Sequence, residues 1–260
     1  MGHPHDPRKI ALEAHRDYYN AGTYSDDRLL WTVQTFLSAE QPGRVLEIGC
    51  GDGALLRLLS QRGVNAIGVD ASSSGIEQCV SLGLQAQCVD VSTDGLPFED
   101  ETFDTIISLE TLEHLMNPYY SLQEVRRVLR ESGRFLCSVP NPLTGHPFLY
   151  PGLFEYANFR RFLEQSGFAI QSVLPWQKAP RATILPIGMR NIPILNGRTI
   201  AGGIRKSLEL LWRAAGGFPY FCYWLWTFDC RKEKEGFADP YGATAELTKP
   251  GSGKHFVHDN

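Results

Sequence analysis

Val45-Leu46-Glu47-Ile48-Gly49-Cys50-Gly51-Asp52-Gly53 is the stretch on which the fold turns. A short apolar strand, Arg44–Ile48, runs into three glycines at alternate positions, and Ala54–Gln61 then reads as a helix stopped by Gly63. Glycines let a backbone turn sharply and approach a ligand closely. The exposed N–H groups where the helix starts favour a carboxylate or phosphate. By itself such a loop serves any nucleotide or cofactor, but two features narrow it. The third glycine falls one residue too early for the dinucleotide pattern G-x-G-x-x-G. Asp70 ends the next strand, 17 residues after Gly53, where a carboxylate can accept both hydroxyls of a ribose.

Outward from this loop the chain alternates between strand and helix. Residues 26–39 place Leu29, Leu30, Val33 and Leu37 at helical spacing. Strands are expected at Asn65–Asp70, Leu84–Asp90, Phe103–Leu109, Gly133–Val139 and Phe168–Leu174. Helices are expected from Ser72 or Ser73 to Leu82, over Tyr119–Glu131 and over Glu155–Gln165. This rhythm demands an α/β fold, a parallel sheet with helices on both faces and right-handed crossovers. Ligands in such sheets sit outside the carboxyl ends of the strands. Phe221–Cys230 is apolar at both parities and fits a strand buried on both faces. A membrane-dipping segment is the second reading of it.

At this point the sequence resembles the class I S-adenosylmethionine (SAM)-dependent methyltransferases of the small-molecule and glycan type, over roughly residues 40–175. VLEIGCGDG is similar to the first motif of that family and GVDAS (68–72) to its second. CVDVSTDGLPFEDETFDTIISLETLEHL (88–115) resembles the third and fourth, and RVLRESGRFLCSVPN (127–141) the fifth strand that follows them. The resemblance implies a Rossmann-like, doubly wound seven-stranded sheet with an antiparallel last strand and a helical or loop insertion between strands 6 and 7. It implies SAM as cofactor and S-adenosylhomocysteine as product. Glu47 belongs to the first motif, and Gly49, Cys50 and Gly51 would lie along the methionine part of SAM. Asp70 would hold the ribose, and Ala71 would lie against the adenine. Asp90 and Val91 would meet the adenine edge, and Leu109 and Glu110 would line the sulfonium side.

The expected organisation is an N-terminal helical lid segment (1–39), a SAM-binding core (40–174), a basic insertion over the acceptor side (175–220), a final core strand (221–231) and a polar tail (232–260). The 260 residues carry a net charge of −4, which gives no nucleic-acid signature for the whole chain. That mean hides an asymmetry. Residues 175–220 hold seven basic residues and one acid, Glu209, which makes the segment +6 and the rest −10. A basic roof over the acceptor edge favours an anionic small-molecule or glycan acceptor. The helix read at Ile204–Ala215 sets Leu208, Leu211 and Trp212 beside basic residues, so contact with an anionic membrane surface is the less favoured reading. The opening residues have no apolar run of signal-peptide type and no stretch of 18 uncharged apolar residues occurs, so a cytoplasmic location is expected. Cys50, Cys79, Cys88, Cys137, Cys222 and Cys230 form no C-x-x-C pair and read as buried thiols.

Methyl transfer is an in-line displacement, and holding nucleophile and methyl in line supplies up to roughly 7–11 kcal/mol. A general base adds about 10²–10⁴-fold where the nucleophile carries a proton. His114, just past strand four, is the candidate base, and a histidine that merely orders the loop is the alternative. Glu110 and His114 lack an evident third partner, so no metal is expected. His146 and Tyr150 lie in a loop on the substrate edge, and Tyr18, Tyr19 and Tyr24 are candidates for a lid. The glycine spacing and the lack of any Tyr-x-x-x-Lys argue against a dehydrogenase. A SAM-binding module without turnover remains open.

Overall fold

The computed structural model describes residues 26–37, 41–142, 148–178 and 223–233. Among them, seven strands form one sheet in the order β3-β2-β1-β4-β5-β7-β6. The strands are β1 (Val45–Ile48), β2 (Ala66–Asp70), β3 (Ala86–Cys88), β4 (Phe103–Leu109), β5 (Leu129–Pro140), β6 (Phe168–Lys178) and β7 (Tyr223–Lys232). All pairs from β3 to β5 are parallel, and β7 runs antiparallel between β5 and β6. The doubly wound sheet with a reversed final strand is therefore as the sequence implied.

Side-chain alternation explains how the helices are shared between the two faces. Leu46 and Ile48 of β1, Ile106 of β4 and Phe135, Cys137 and Val139 of β5 face one side. There they meet α4 (Pro118–Val128) and α5 (Tyr156–Gln165) through Leu122, Val125, Val128, Phe159, Phe162 and Leu163. Val45, Ile107, Leu109 and Leu136 face the other side. They meet α1 (Asp26–Thr32), its π-helical continuation Val33–Leu37 and α2 (Ala54–Ser60) through Leu29, Val33, Phe36, Leu37, Leu55 and Leu59. The helix α3 (Ser73–Ser81) covers the end near β2 and β3, where Ile76 and Cys79 pack with Cys50 and Leu56.

Several boundaries differ from the sequence reading, each for a local reason. The helix expected through Glu131 stops at Val128, because Leu129 is extended and pairs with Phe103. Strand β5 therefore starts four residues early, with an irregular lead-in where Ser132 takes φ +57° and the register against β4 shifts. Strand β6 runs past Leu174 to Lys178, so Pro175 and Trp176 belong to the strand and pair with Trp226 and Leu225. Pro175 is tolerated because β6 is the sheet edge. The third strand shrinks to three residues, and the last extends to Lys232. Cys88 is exposed, against the expectation of burial, while Cys50, Cys79, Cys137 and Cys230 are buried thiols.

The three tyrosines of the expected lid, His146, most of the basic insertion with its helix, Cys222, and the tail beyond residue 233 lie outside the described residues.

Candidate cofactor and active site

The chain leaves β1 toward β2 and returns to pair β4 on its other side, so the strand order reverses at β1. A cavity of about 510 Å³ opens there, at the carboxyl ends of β1, β2 and β4. That is the size and place of a ligand pocket in a sheet of this kind.

Three close approaches shape it. Gly49 has φ +79°, and a Cβ on it would stand 2.1 Å from Oγ1 of Thr111, the residue two beyond the end of β4. Thr111 in turn is 3.3 Å from the Ile48 carbonyl and 3.2 Å from that of Leu109, to either of which its hydroxyl donates. Gly75, in the first turn of α3, lies so near the glycine loop that a Cβ would meet the Gly51 carbonyl oxygen at 2.6 Å. The loop is thus pinned between β4 and α3, and Gly49 and Cys50 both donate N–H bonds to the Val69 carbonyl, at 2.8 and 3.1 Å.

Asp70 is the polar centre of the wall. It is 7% exposed, and its carboxylate accepts one N–H on each oxygen, from Gly51 to Oδ2 at 2.9 Å and from Ser72 to Oδ1 at 2.8 Å. Ser72 also caps α3 by accepting the Gly75 N–H. Asp90 accepts the Ser92 N–H at 2.9 Å and borders the same cavity, with Val69, Val89, Val91 and Leu115 as its apolar surface.

Of the residues expected from sequence, Gly49, Asp70, Ala71, Asp90 and Val91 line the cavity together. Gly51 supports it through Asp70. Four others stand behind the wall. Cys50 packs its thiol against Gly68 and Cys79 in the small cluster under the loop. Leu109 packs among the α1 and α2 side chains. Glu47 is buried on that same side, where the Leu56 N–H in the first turn of α2 donates to it and Oε2 has no hydrogen-bond partner. Burial, then the charges of Asp70 and Asp52, push the Glu47 carboxyl up to about 8. Glu110, at φ +50°, forms a buried ion pair with Arg28 of α1.

His114 closes a short 3-10 turn, Leu112–His114, and its Nε2 lies 3.8 Å from the Glu113 carboxyl. It does not border the cavity, although its neighbours Thr111 and Leu115 do. Glu113 is fully buried, and burial pushes its carboxyl up to about 8 against the pull of Arg28. Thr111, Leu115, Val89 and the hydroxyl-bearing residues Ser73 and Ser74 are wall residues that the sequence reading missed. For Thr111 the signal was Gly49 itself, since a glycine that must stay bare implies a neighbour filling its space. Among the described residues no group of three or more His, Cys, Asp and Glu could hold a metal ion. None of the helices described is long and apolar enough to cross a membrane.

Residues 46–137 match the family model of the methyltransferase domain. The chain is 32% identical over 182 residues to the probable tRNA methyltransferase 9B of Mus musculus, covering 67% of this chain and 36% of that protein. It is 30% identical over 116 residues to the ubiquinone biosynthesis O-methyltransferase of Parvibaculum lavamentivorans, covering 42% of this chain and 45% of that one. The chain thus spans less than half the length of either relative. A solved SAM-dependent methyltransferase from Archaeoglobus fulgidus shares the fold with a TM-score of 0.58 and 19% identity, over 80% of this chain and 95% of that one. Residues 46–137 thus carry a methyltransferase domain, set in the fold of the class I SAM-dependent methyltransferases. The cavity fits the cofactor of that class: the Asp70 carboxylate borders a space of about 510 Å³ that is also lined by Val69, Val89, Val91 and Leu115.

Proposed function

We propose that this chain transfers a methyl group from SAM to an oxygen of a small-molecule or glycan acceptor. The observation that carries the reading is Asp70, a carboxylate fixed by two backbone N–H groups inside the cavity at the reversal of strand order. In this reading Asp70 holds the ribose hydroxyls. Ala71 and Val91 flank the adenine, whose amino group meets Asp90. The bare backbone of Gly49–Gly51 runs along the methionine part, with Cys50 and Glu47 supporting it from beneath. Leu109, the last residue of β4, and Glu110 after it lie behind the sulfonium side. When bound, the cofactor supplies an electrophilic methyl group. The chain's part is to hold the acceptor oxygen in line with it and to exclude water, which is where most of the rate arises in such displacements. His114 takes the acceptor's proton as that oxygen becomes nucleophilic.

Oxygen is favoured by the name of the bacterial relative, an O-methyltransferase of ubiquinone biosynthesis. An anionic acceptor is favoured by the +6 charge of residues 175–220. That relative's name also supports a second reading, an acceptor of quinone type presented at a membrane surface.

The test is a screen with methyl-labelled SAM against hydroxylated small molecules, anionic glycans, quinols in vesicles and total tRNA. The reading expects label in a hydroxylated small molecule or glycan. Label in tRNA alone would place the acceptor with the activity named for the mouse relative. Binding of SAM with no label in any acceptor would leave a module without turnover.

A further inference from the structure

Arg28 lies in α1, far in sequence from every residue of the cavity, yet it is 8% exposed and its Nη1 pairs with Glu110 Oε1. Glu110 directly follows β4 in the left-handed region, φ +50°, and donates its N–H to the Ser138 carbonyl of β5 at 2.9 Å. A residue other than glycine or asparagine holds that conformation only where its surroundings fix it. Glu113, a second acid of the same turn three residues on, is fully buried.

Between and beside those acids stand Thr111 and Leu115, both on the cavity wall. Thr111 fills the space that Gly49 leaves bare and bonds back to the end of β1 or β4. The turn Glu110–Leu115 is therefore held at the sheet by Thr111 and from outside by Arg28. A charge buried this deeply is stable only while paired, so α1 cannot leave without orphaning Glu110.

We infer that Arg28 is a positioning residue that fixes the Glu110–Leu115 turn, making α1 part of the cofactor site. This rests on the reading of the cavity as the SAM site. Coupling between α1 docking and cofactor binding is then reciprocal: what loosens one weakens the other.

The test measures the Kd for S-adenosylhomocysteine by calorimetry, together with Tm, in four proteins: wild type, Arg28→Lys, Arg28→Met and the double variant Arg28→Met with Glu110→Gln. The double variant removes the orphaned charge and so recovers the fold. Positioning predicts that the Arg28→Met protein binds about tenfold more weakly. It also predicts that Arg28→Lys restores most of the affinity, and that the double variant regains Tm but not affinity. A double variant that binds as tightly as wild type would overturn the inference, since the ion pair would then serve stability alone. Should wild type itself fail to bind, the cofactor reading fails first and this inference with it.

Discussion

The backbone N–H of Gly51 donates to Oδ2 of Asp70 at 2.9 Å, so the glycine loop after β1 and the carboxylate at the end of β2 are one unit. The residue proposed to hold the ribose is oriented by the loop proposed to follow the methionine. A change in either displaces both.

Asp70→Ala is therefore expected to remove the ribose contacts and the anchor of the loop together. Hydrogen bonds to a charged group are worth about 1.5–3 kcal/mol each, so losing two weakens S-adenosylhomocysteine by roughly a hundredfold or more. Calorimetric titration checks this. A Kd within a few-fold of wild type would mean that the ribose is bound elsewhere.

Gly75→Ala tests the close approach of α3 to the glycine loop. Alanine improves intrinsic helix propensity by about 1 kcal/mol. Its Cβ would nevertheless stand 2.6 Å from the Gly51 carbonyl, which has no side-chain freedom with which to yield. Overpacking of this kind costs about 1–3 kcal/mol, so the expected result is a net loss of up to about 2 kcal/mol in denaturant unfolding, with weaker cofactor binding. Gly152→Ala, where a Cβ meets nothing within 4 Å, is the control and should be near neutral. A stabilised Gly75→Ala protein would show that the loop and α3 are free to part.

Two buried carboxyls give the cofactor-free protein a pH dependence with a definite sign. Glu47 and Glu113 are each raised from about 4.5 to about 8, chiefly by burial. Between those values the folded chain keeps protons that the unfolded chain has released, so stability is greatest at the acid end of the window and is lost as pH rises through about 8. Glu113→Gln removes one of the two. Its Tm should fall less than that of wild type over the same window, and parallel curves for the two proteins would contradict the assignment.

His114→Ala separates a base from a loop-ordering residue. If His114 accepts the acceptor's proton, kcat falls by about 10²–10⁴-fold while the Kd for S-adenosylhomocysteine stays put. Weakened cofactor binding with an unchanged kcat would make it a residue that orders the turn beside Thr111 and Leu115.

The fold was largely legible because its signals are local. Strand–glycine–helix at 45–61, acids at the ends of β2 and at residue 90, and the doubly apolar segment near 221–230 each announce a backbone event. The cofactor end of the site was legible for the same reason, since Gly49, Asp70 and Asp90 sit where strands stop. What escaped depends on contacts across the sheet. Nothing local says that Leu129 pairs with Phe103 instead of ending a helix, or that Pro175 lies on an edge where its missing N–H costs little. Thr111 matters only because it occupies the space beside Gly49, 62 positions away in the chain. Glu110 looked like a wall residue, and only the fold brings Arg28 to it.

The central claim is that the cavity at the strand reversal takes SAM. Thermal unfolding with SAM, S-adenosylhomocysteine and NAD in turn tests it most directly. The account predicts stabilisation by the first two only, about 2.7 kcal/mol at a ligand concentration one hundred times Kd. Stabilisation by NAD alone would contradict it.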